Sequence, residues 1–136
     1  MTPIFADSFY FLALLNRDDA AHDRARELSE ELTGPLLTTA WVLTETADAM
    51  AAPGDRQGFL YLLDALAADP NCTIISPTQA LFEDGLNLYA NRLDKDWTLT
   101  DCISFVVMEQ HNVTEALTGD RHFEQAGFKA MLTLTR

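Results

Sequence analysis

The sequence predicts an α/β fold in which helices cover both faces of a mainly parallel, five-stranded sheet. Short apolar segments of strand character alternate with longer segments of helical spacing from end to end, and this alternation is typical of parallel sheets. One helix, from about Thr98 to Met108, is apolar on nearly every side and therefore belongs in an interior. The chain has 136 residues, is 48% hydrophobic and shows no repeat or linker, so we expect one domain spanning residues 1–136.

The N-terminal half contains two of the predicted strands. Asp7 and Ser8 can both cap a helix, as can Thr38 or Thr39 and then Asp55 further along the chain. Helices end where Gly and Pro follow them. The predicted elements are strand 4–6, helix 9–15, helix 19–32, strand 36–38, helix 41–52 and a helix that includes the very apolar residues 59–66.

The C-terminal half contains the other three strands and the buried helix. That helix follows a charged loop, 92–97, and opens with a capping pattern in which the acid Asp101 stands three residues after Thr98. Gly127 closes a later, short helix. The predicted elements are strand 72–75, a helix from 77–78 to about 91, helix 98–108, strand 113–117, helix 120–125 and strand 129–134.

The net charge and the two cysteines limit the classes of function and the cellular compartment that we expect for the protein. A formal net charge of −12 argues against gripping nucleic acid through a broad basic face, but it fits a metal site or a basic partner. Cys72 and Cys102 lack metal-ligand spacing, and free thiols indicate a reducing compartment. The apolar run 9–15 has no basic leader and is shorter than the ~20 residues that span a membrane. We therefore expect a soluble, cytoplasmic protein without a membrane segment.

Four acids fall toward one edge of the predicted sheet. Asp7 follows the first strand, Asp120 follows the fourth, Asp101 heads the buried helix, and Glu45 lies about one turn into the helix after the second strand. Ligands of parallel α/β sheets bind beyond the carboxyl ends of the strands. Clustered carboxylates repel one another unless a cation joins them, and oxygen ligands suit Mg²⁺ or Mn²⁺. The pattern indicates metal-assisted hydrolysis of a phosphodiester, although each acid taken alone is also a common helix cap or surface residue.

The same segments resemble the PIN domain, and within that family the toxin ribonucleases of VapBC-type toxin–antitoxin pairs. The resemblance covers essentially the whole chain. The segments that carry it are Ile4-Phe5-Ala6-Asp7-Ser8, Thr44-Glu45, Trp97-Thr98-Leu99-Thr100-Asp101-Cys102-Ile103-Ser104-Phe105, and Ala116-Leu117-Thr118-Gly119-Asp120-Arg121-His122-Phe123 with Gly127-Phe128.

The resemblance implies a three-layer α/β/α sandwich and a Mg²⁺- or Mn²⁺-dependent endoribonuclease that cuts single-stranded RNA to leave 5′-phosphate and 3′-hydroxyl ends. Carried over by position, Asp7 and Asp101 are the principal metal ligands, and Glu45 and Asp120 complete the set of catalytic acids. Hydroxyl groups that orient these acids would come from Ser8 and Thr118, which also suit a cap and a strand end.

The resemblance also implies partners: a homodimer, and a small antitoxin whose tail covers the acidic pocket. The apolar helix around residues 59–66 could form the dimer contact or the antitoxin contact, or it could simply belong to the hydrophobic core. His122 could touch a phosphate, but a surface or capping role is the commoner one for such a histidine. The RNA backbone could be bound by Arg17, Arg92, Lys95 and Arg121, although a solvated surface charge is the commoner role for such residues.

Two other kinds of domain with an acidic pocket do not fit the sequence. A receiver domain needs an acid after the third strand, where Ser76 and Pro77 stand, and a haloacid-dehalogenase-like phosphatase needs a second Asp where Phe9 stands. Two further alternatives stay open at this point: a PIN-like module that only binds a partner, and a PIN nuclease that is not paired with an antitoxin.

Overall fold

A computed structural model describes residues 2–133 of the chain. It contains five strands: β1 (Ile4–Ala6), β2 (Leu36–Thr39), β3 (Cys72–Ile75), β4 (Glu115–Leu117) and β5 (Lys129–Ala130). Its helices are α1 (Ser8–Leu15), α2 (His22–Glu31), α3 (Ala40–Ala49), α4 (Arg56–Ala68), α5 (Gln79–Asn91), α6 (Leu99–Gln110) and α7 (Arg121–Gln125).

The strands form one sheet in the order β3-β2-β1-β4-β5, and every strand pair is parallel. The chain moves outward from β1 to β3 and then returns to the far side of β1 as β4. Right-handed crossovers therefore place the helices before and after β3 on opposite faces. The predicted α/β class and the five-stranded sheet are confirmed, and the sheet is parallel throughout residues 2–133. The single-domain boundary 1–136 stays a prediction.

The predicted buried helix is α6. Its N-terminus carries a complete capping box, because the Thr98 hydroxyl accepts from the Asp101 amide at 3.0 Å and the Asp101 carboxylate accepts from the Thr98 amide at 3.1 Å. The residues from Asp101 to Phe105 are all buried. Gly85 of α5 lets the two helices approach closely, since a Cβ there would clash with Cγ1 of Ile103.

Several predicted boundaries and caps were wrong. Asp55 and Asp7 stand at N-cap positions, but neither side chain makes a cap hydrogen bond. Of the two threonines proposed as caps for α3, Thr39 accepts from the Val42 amide, while Thr38 instead donates to the Ala6 carbonyl at 2.8 Å. The fourth strand begins at Glu115, because the chain turns through Asn112 at a φ of 56°.

The ends of other elements differ by a few residues. Helix α2 begins at His22 rather than at residue 19, and α3 ends at Ala49 rather than at residue 52. The last strand is shorter than predicted and ends at Ala130, while residue 134 of that prediction lies outside the described part of the chain. Both cysteines are free; Cys102 is buried in α6, and Cys72 lies partly buried in β3. In residues 2–133 no helix is long and apolar enough to cross a bilayer.

Candidate metal centre

The carboxyl ends of β2, β1 and β4 lie side by side, and each is followed by one of the predicted acids. Asp7 comes directly after β1, the central strand of the three, and Asp120 comes three residues after β4. Glu45 lies in α3, which continues directly from β2. Asp101 reaches the same edge from the first turn of α6. The structure therefore brings together all four acids that the sequence singled out.

Asp7 is the most deeply buried of the four, with 4% of its surface exposed. Its Oδ2 accepts a hydrogen bond of 2.8 Å from the Thr118 hydroxyl. Burial raises the pKa of Asp7 from 3.8 to about 7. The Thr118 hydrogen bond opposes that shift, whereas the neighbouring negative charges of Glu45 and Asp101 add to it. Ionisation of the Asp7 carboxyl group is therefore unfavourable in the folded chain.

Glu45 is held by the other predicted hydroxyl. The Ser8 Oγ donates to Oε1 of Glu45 at 2.6 Å, across a separation of 37 residues. Burial raises the pKa of Glu45, the Ser8 hydrogen bond lowers it, and the charges of Asp101 and Asp120 raise it further. Ser8 and Thr118 each fix one carboxylate, Glu45 and Asp7 respectively, which is the contact expected of groups that orient these acids.

Asp101 is 5% exposed, and burial raises its pKa. Hydrogen bonds from the Thr98 amide and from His122 oppose this shift. The position at the N-terminus of α6 also lowers the cost of a negative charge, because the helix dipole is positive there. The capping box and the site therefore use the same carboxylate.

His122 is the contributor that the sequence interpretation placed elsewhere. Its Nδ1 lies 3.0 Å from Oδ2 of Asp101 and 3.4 Å from Oδ1 of Asp120. Candidate ligand atoms of these three residues all lie within 4.8 Å of one another. The surface or capping role expected for His122 was wrong in this respect. The signal was its position two residues after Asp120, where the first turn of α7 points back toward the sheet edge.

In the described part of the chain, His122 is the basic side chain that pairs with acids of the site. Within residues 2–133, no salt bridge joins any of the four acids to Lys or Arg, and the ion-pair contacts of Asp101 and Asp120 are with His122. Mutual repulsion among partly buried carboxylates is relieved by a cation, and carboxylate oxygens with one imidazole form a donor set for a divalent ion. The side chains present fit such an ion.

Arg92, one of the cations proposed for RNA contact, makes its contacts away from the four acids. Arg92 stacks on Trp97 with 5.0 Å from its guanidinium carbon to the ring centroid, and it forms a bidentate pair with Asp94. A cavity of about 530 Å³ lies beside them, between α5, α6 and α7. None of the four acids lines that cavity, so its size does not define the site.

Comparison with known proteins identifies a family model and a curated relative. The family model of the PIN domain matches residues 4–129. The chain is 26% identical over 135 residues to the 23S rRNA-specific endonuclease VapC20 of Mycobacterium tuberculosis, and the match covers 92% of this chain and 95% of VapC20.

Two crystal structures share the fold. VapC20 of Mycobacterium tuberculosis, described as a sarcin-ricin loop cleaving toxin, superposes with a TM-score of 0.84 at 24% identity, over 92% of this chain and 95% of that one. A chain of FitAcB from Neisseria gonorrhoeae superposes with a TM-score of 0.65 at 18% identity, over 93% of this chain and 94% of that one.

Proposed function

The chain belongs to the PIN domain family, and from this premise we propose that it is a Mg²⁺- or Mn²⁺-dependent endoribonuclease acting as the toxin of a toxin–antitoxin pair. The observation that carries the proposal is the convergence of Asp7, Glu45, Asp101 and Asp120 on one edge of the sheet, where no Lys or Arg of residues 2–133 forms a salt bridge with them. Repulsion among these carboxylates destabilises the folded chain, and a bound divalent ion would relieve that repulsion.

Each side chain has a role in this proposal. Asp7 and Asp101 would bind the ion directly, and Glu45 and Asp120 would complete the set, partly through water. Ser8 and Thr118 hold Glu45 and Asp7 in fixed orientations through hydrogen bonds of 2.6 and 2.8 Å. His122 holds Asp101 at 3.0 Å. Contacts that orient metal ligands in this way typically contribute 10–100-fold to metal affinity or activity.

A divalent ion bound there would lower the pKa of water and neutralise charge on a phosphoryl group. The acidic side chains also keep other anions away from the site, so RNA would enter only where its phosphate meets the bound cation. This accounts for an RNA substrate in a chain with a formal net charge of −12.

Ribosomal RNA is the substrate class we propose first, because the curated relative VapC20 is a 23S rRNA-specific endonuclease. A single-stranded loop suits a site at the open edge of a sheet, where an unstacked nucleotide can reach the carboxylates. A cytoplasmic location belongs to the same proposal, since ribosomes are there.

The partners we propose are a small antitoxin and a second copy of the chain. An antitoxin tail with a basic side chain would satisfy the unbalanced acids and thereby block the site. Exposed apolar side chains are available for protein contacts on α4, at Leu60 and Tyr61, and along α5.

A cleavage assay tests the proposed activity. Purified chain incubated with ribosomes and MnCl₂ is expected to release discrete fragments of ribosomal RNA with 5′-phosphate ends, and EDTA in excess is expected to abolish them. Adding back Mn²⁺ or Mg²⁺ should restore cleavage at the same positions, which separates this activity from a contaminating metal-independent nuclease. Binding of RNA or a partner without metal-dependent turnover would instead support the PIN-like binding module.

A further inference from the structure

The segment between β4 and α7 joins several acids of the candidate metal centre, and we call its residues 118–120 the β4–α7 loop. The Thr118 hydroxyl donates to Asp7 at 2.8 Å and accepts from the Asp120 amide at 3.1 Å. Oδ1 of Asp120 in turn accepts from the His122 amide at 2.9 Å. A shift of this loop would therefore move the hydrogen-bond partners of Asp7 and Asp120 together.

The ring of Phe9 presses against the middle residue of this loop, Gly119. A Cβ on Gly119 would clash with Cζ of Phe9 and would lie 2.7 and 3.1 Å from its two Cε atoms. These three atoms form the far end of the ring, so Phe9 meets the loop backbone end-on. Among the glycines of residues 2–133, only Gly127 has a positive φ. Gly119 is therefore required for the space it leaves and not for its backbone conformation.

Phe9 reaches the loop from the segment that carries Asp7. It is the second residue of α1, and it is partly buried and packs against the core. The Asp7 amide donates to the Leu117 carbonyl at 3.3 Å, so the start of α1 and the end of β4 are also joined through the backbone. Since protein interiors are close-packed, turning the ring away from Gly119 would require its neighbours to move.

We propose that Phe9 is a positioning residue of the metal centre. Its ring, seated against Gly119, fixes the β4–α7 loop so that Asp120 and Thr118 stand at the right distance from Asp7. Ser8, the preceding residue, holds Glu45 through a hydrogen bond of 2.6 Å, so two consecutive residues of α1 would support the acids. This role rests on the proposed metal-dependent function.

Two substitutions and their combination test the contact. Phe9→Leu removes the three ring atoms that meet Gly119 but keeps an apolar side chain. It frees the loop and should raise the Mn²⁺ dissociation constant about 10–100-fold, as is usual when the support of metal ligands is lost. Gly119→Ala pushes the loop away from the ring and should have an effect of similar size. In the double variant the methyl group fills the space left by the ring, so the dissociation constant should fall at least about tenfold relative to Gly119→Ala, because effects of residues in contact are not additive.

The measurement is the concentration of free Mn²⁺ by electron paramagnetic resonance, during titration of the purified full chain. Melting curves in EDTA verify folding, and there the double variant should melt at a higher temperature than Gly119→Ala. Cleavage is measured against MnCl₂ concentration on the same samples. A higher concentration should restore much of the rate in both single variants, which a fold that is merely less stable would not show.

Gly54→Ala and Phe82→Leu are the matched controls. A Cβ on Gly54 has nothing within 4 Å, and Phe82 is 37% exposed on α5, so both should keep the wild-type Mn²⁺ affinity. A wild-type chain that binds no Mn²⁺ overturns the proposed metal centre together with this role. If the wild type binds Mn²⁺, unchanged affinity in either single variant, or a double variant that binds no more tightly than Gly119→Ala, overturns the role of Phe9 alone. If Gly119→Ala does not fold, Phe9→Leu decides by the same criterion.

Discussion

Asp7→Asn is expected to abolish Mn²⁺-dependent RNA cleavage while leaving the chain folded. The substitution keeps the shape of the side chain, and the Asn oxygen can still accept the hydrogen bond that Thr118 donates at 2.8 Å. It removes one negative charge from the middle of the proposed metal centre. Loss of a single electrostatic contact to a transition state commonly costs 10²–10³-fold in rate, so we expect a decrease of at least about that size, and loss of growth inhibition when the chain is expressed in cells.

Asp64→Asn is the control for this experiment, because it removes the same charge from an exposed position on α4. It should cleave RNA at the wild-type rate. The measurement is the initial rate of fragment formation at saturating Mn²⁺, with circular dichroism to verify folding. An Asp7→Asn protein that cleaves as fast as wild type would show that the site assignment is wrong.

The stability of the metal-free protein is expected to fall as pH rises from about 4 to about 7. Burial gives Asp7 a pKa of about 7 in the folded chain, against 3.8 ordinarily. Over that interval the folded state holds a proton that the unfolded state has lost, so stability decreases with pH. This destabilisation by Asp7 is absent below about pH 4 and fully developed above about pH 7. At 1.36 kcal/mol for each pH unit of difference, Asp7 destabilises the neutral, metal-free protein by up to about 4 kcal/mol.

Asp7→Asn should therefore melt several degrees higher than wild type at pH 8 in EDTA, since ~1 kcal/mol corresponds to roughly 3–6 °C in a domain of this size. The same substitution should remove part of the pH dependence, and the raised pKa values of Glu45 and Asp101 account for the part that remains. MnCl₂ should raise the melting temperature of wild type more than that of Asp7→Asn. A lower melting temperature for Asp7→Asn at pH 8 in EDTA would contradict this account of the buried charge.

The fold was predictable because its main determinant is visible along the chain. Apolar strands alternate with helices, and the parallel connection follows from that order. Boundaries were less predictable. The fourth strand was predicted to span 113–117 but begins at Glu115, because the chain turns at Asn112. The apolar residue Val113, which follows the turn, gave no sign of it in the sequence. Likewise, Asp7 has the sequence character of a cap, but its carboxylate accepts from Thr118, a contact between residues 111 apart.

The four acids could be placed at one edge because strand ends converge there in a parallel sheet. Their hydroxyl partners could not be derived from spacing, because Ser8 reaches Glu45 from a different element and only the resemblance to the family suggested such a contact. His122 was expected to have a surface or capping role because the histidines of this chain are scattered and lack metal-ligand spacing. Only the way α7 packs shows that its Nδ1 lies 3.0 Å from Asp101.

The most direct test of the central claim is to locate a Mn²⁺ ion by anomalous diffraction from crystals grown with MnCl₂. A peak within bonding distance of carboxylate oxygens from both Asp7 and Asp101, with Glu45 and Asp120 around it, is the predicted result. An ion held elsewhere on the surface, or an empty sheet edge at a Mn²⁺ concentration that supports cleavage, would contradict it.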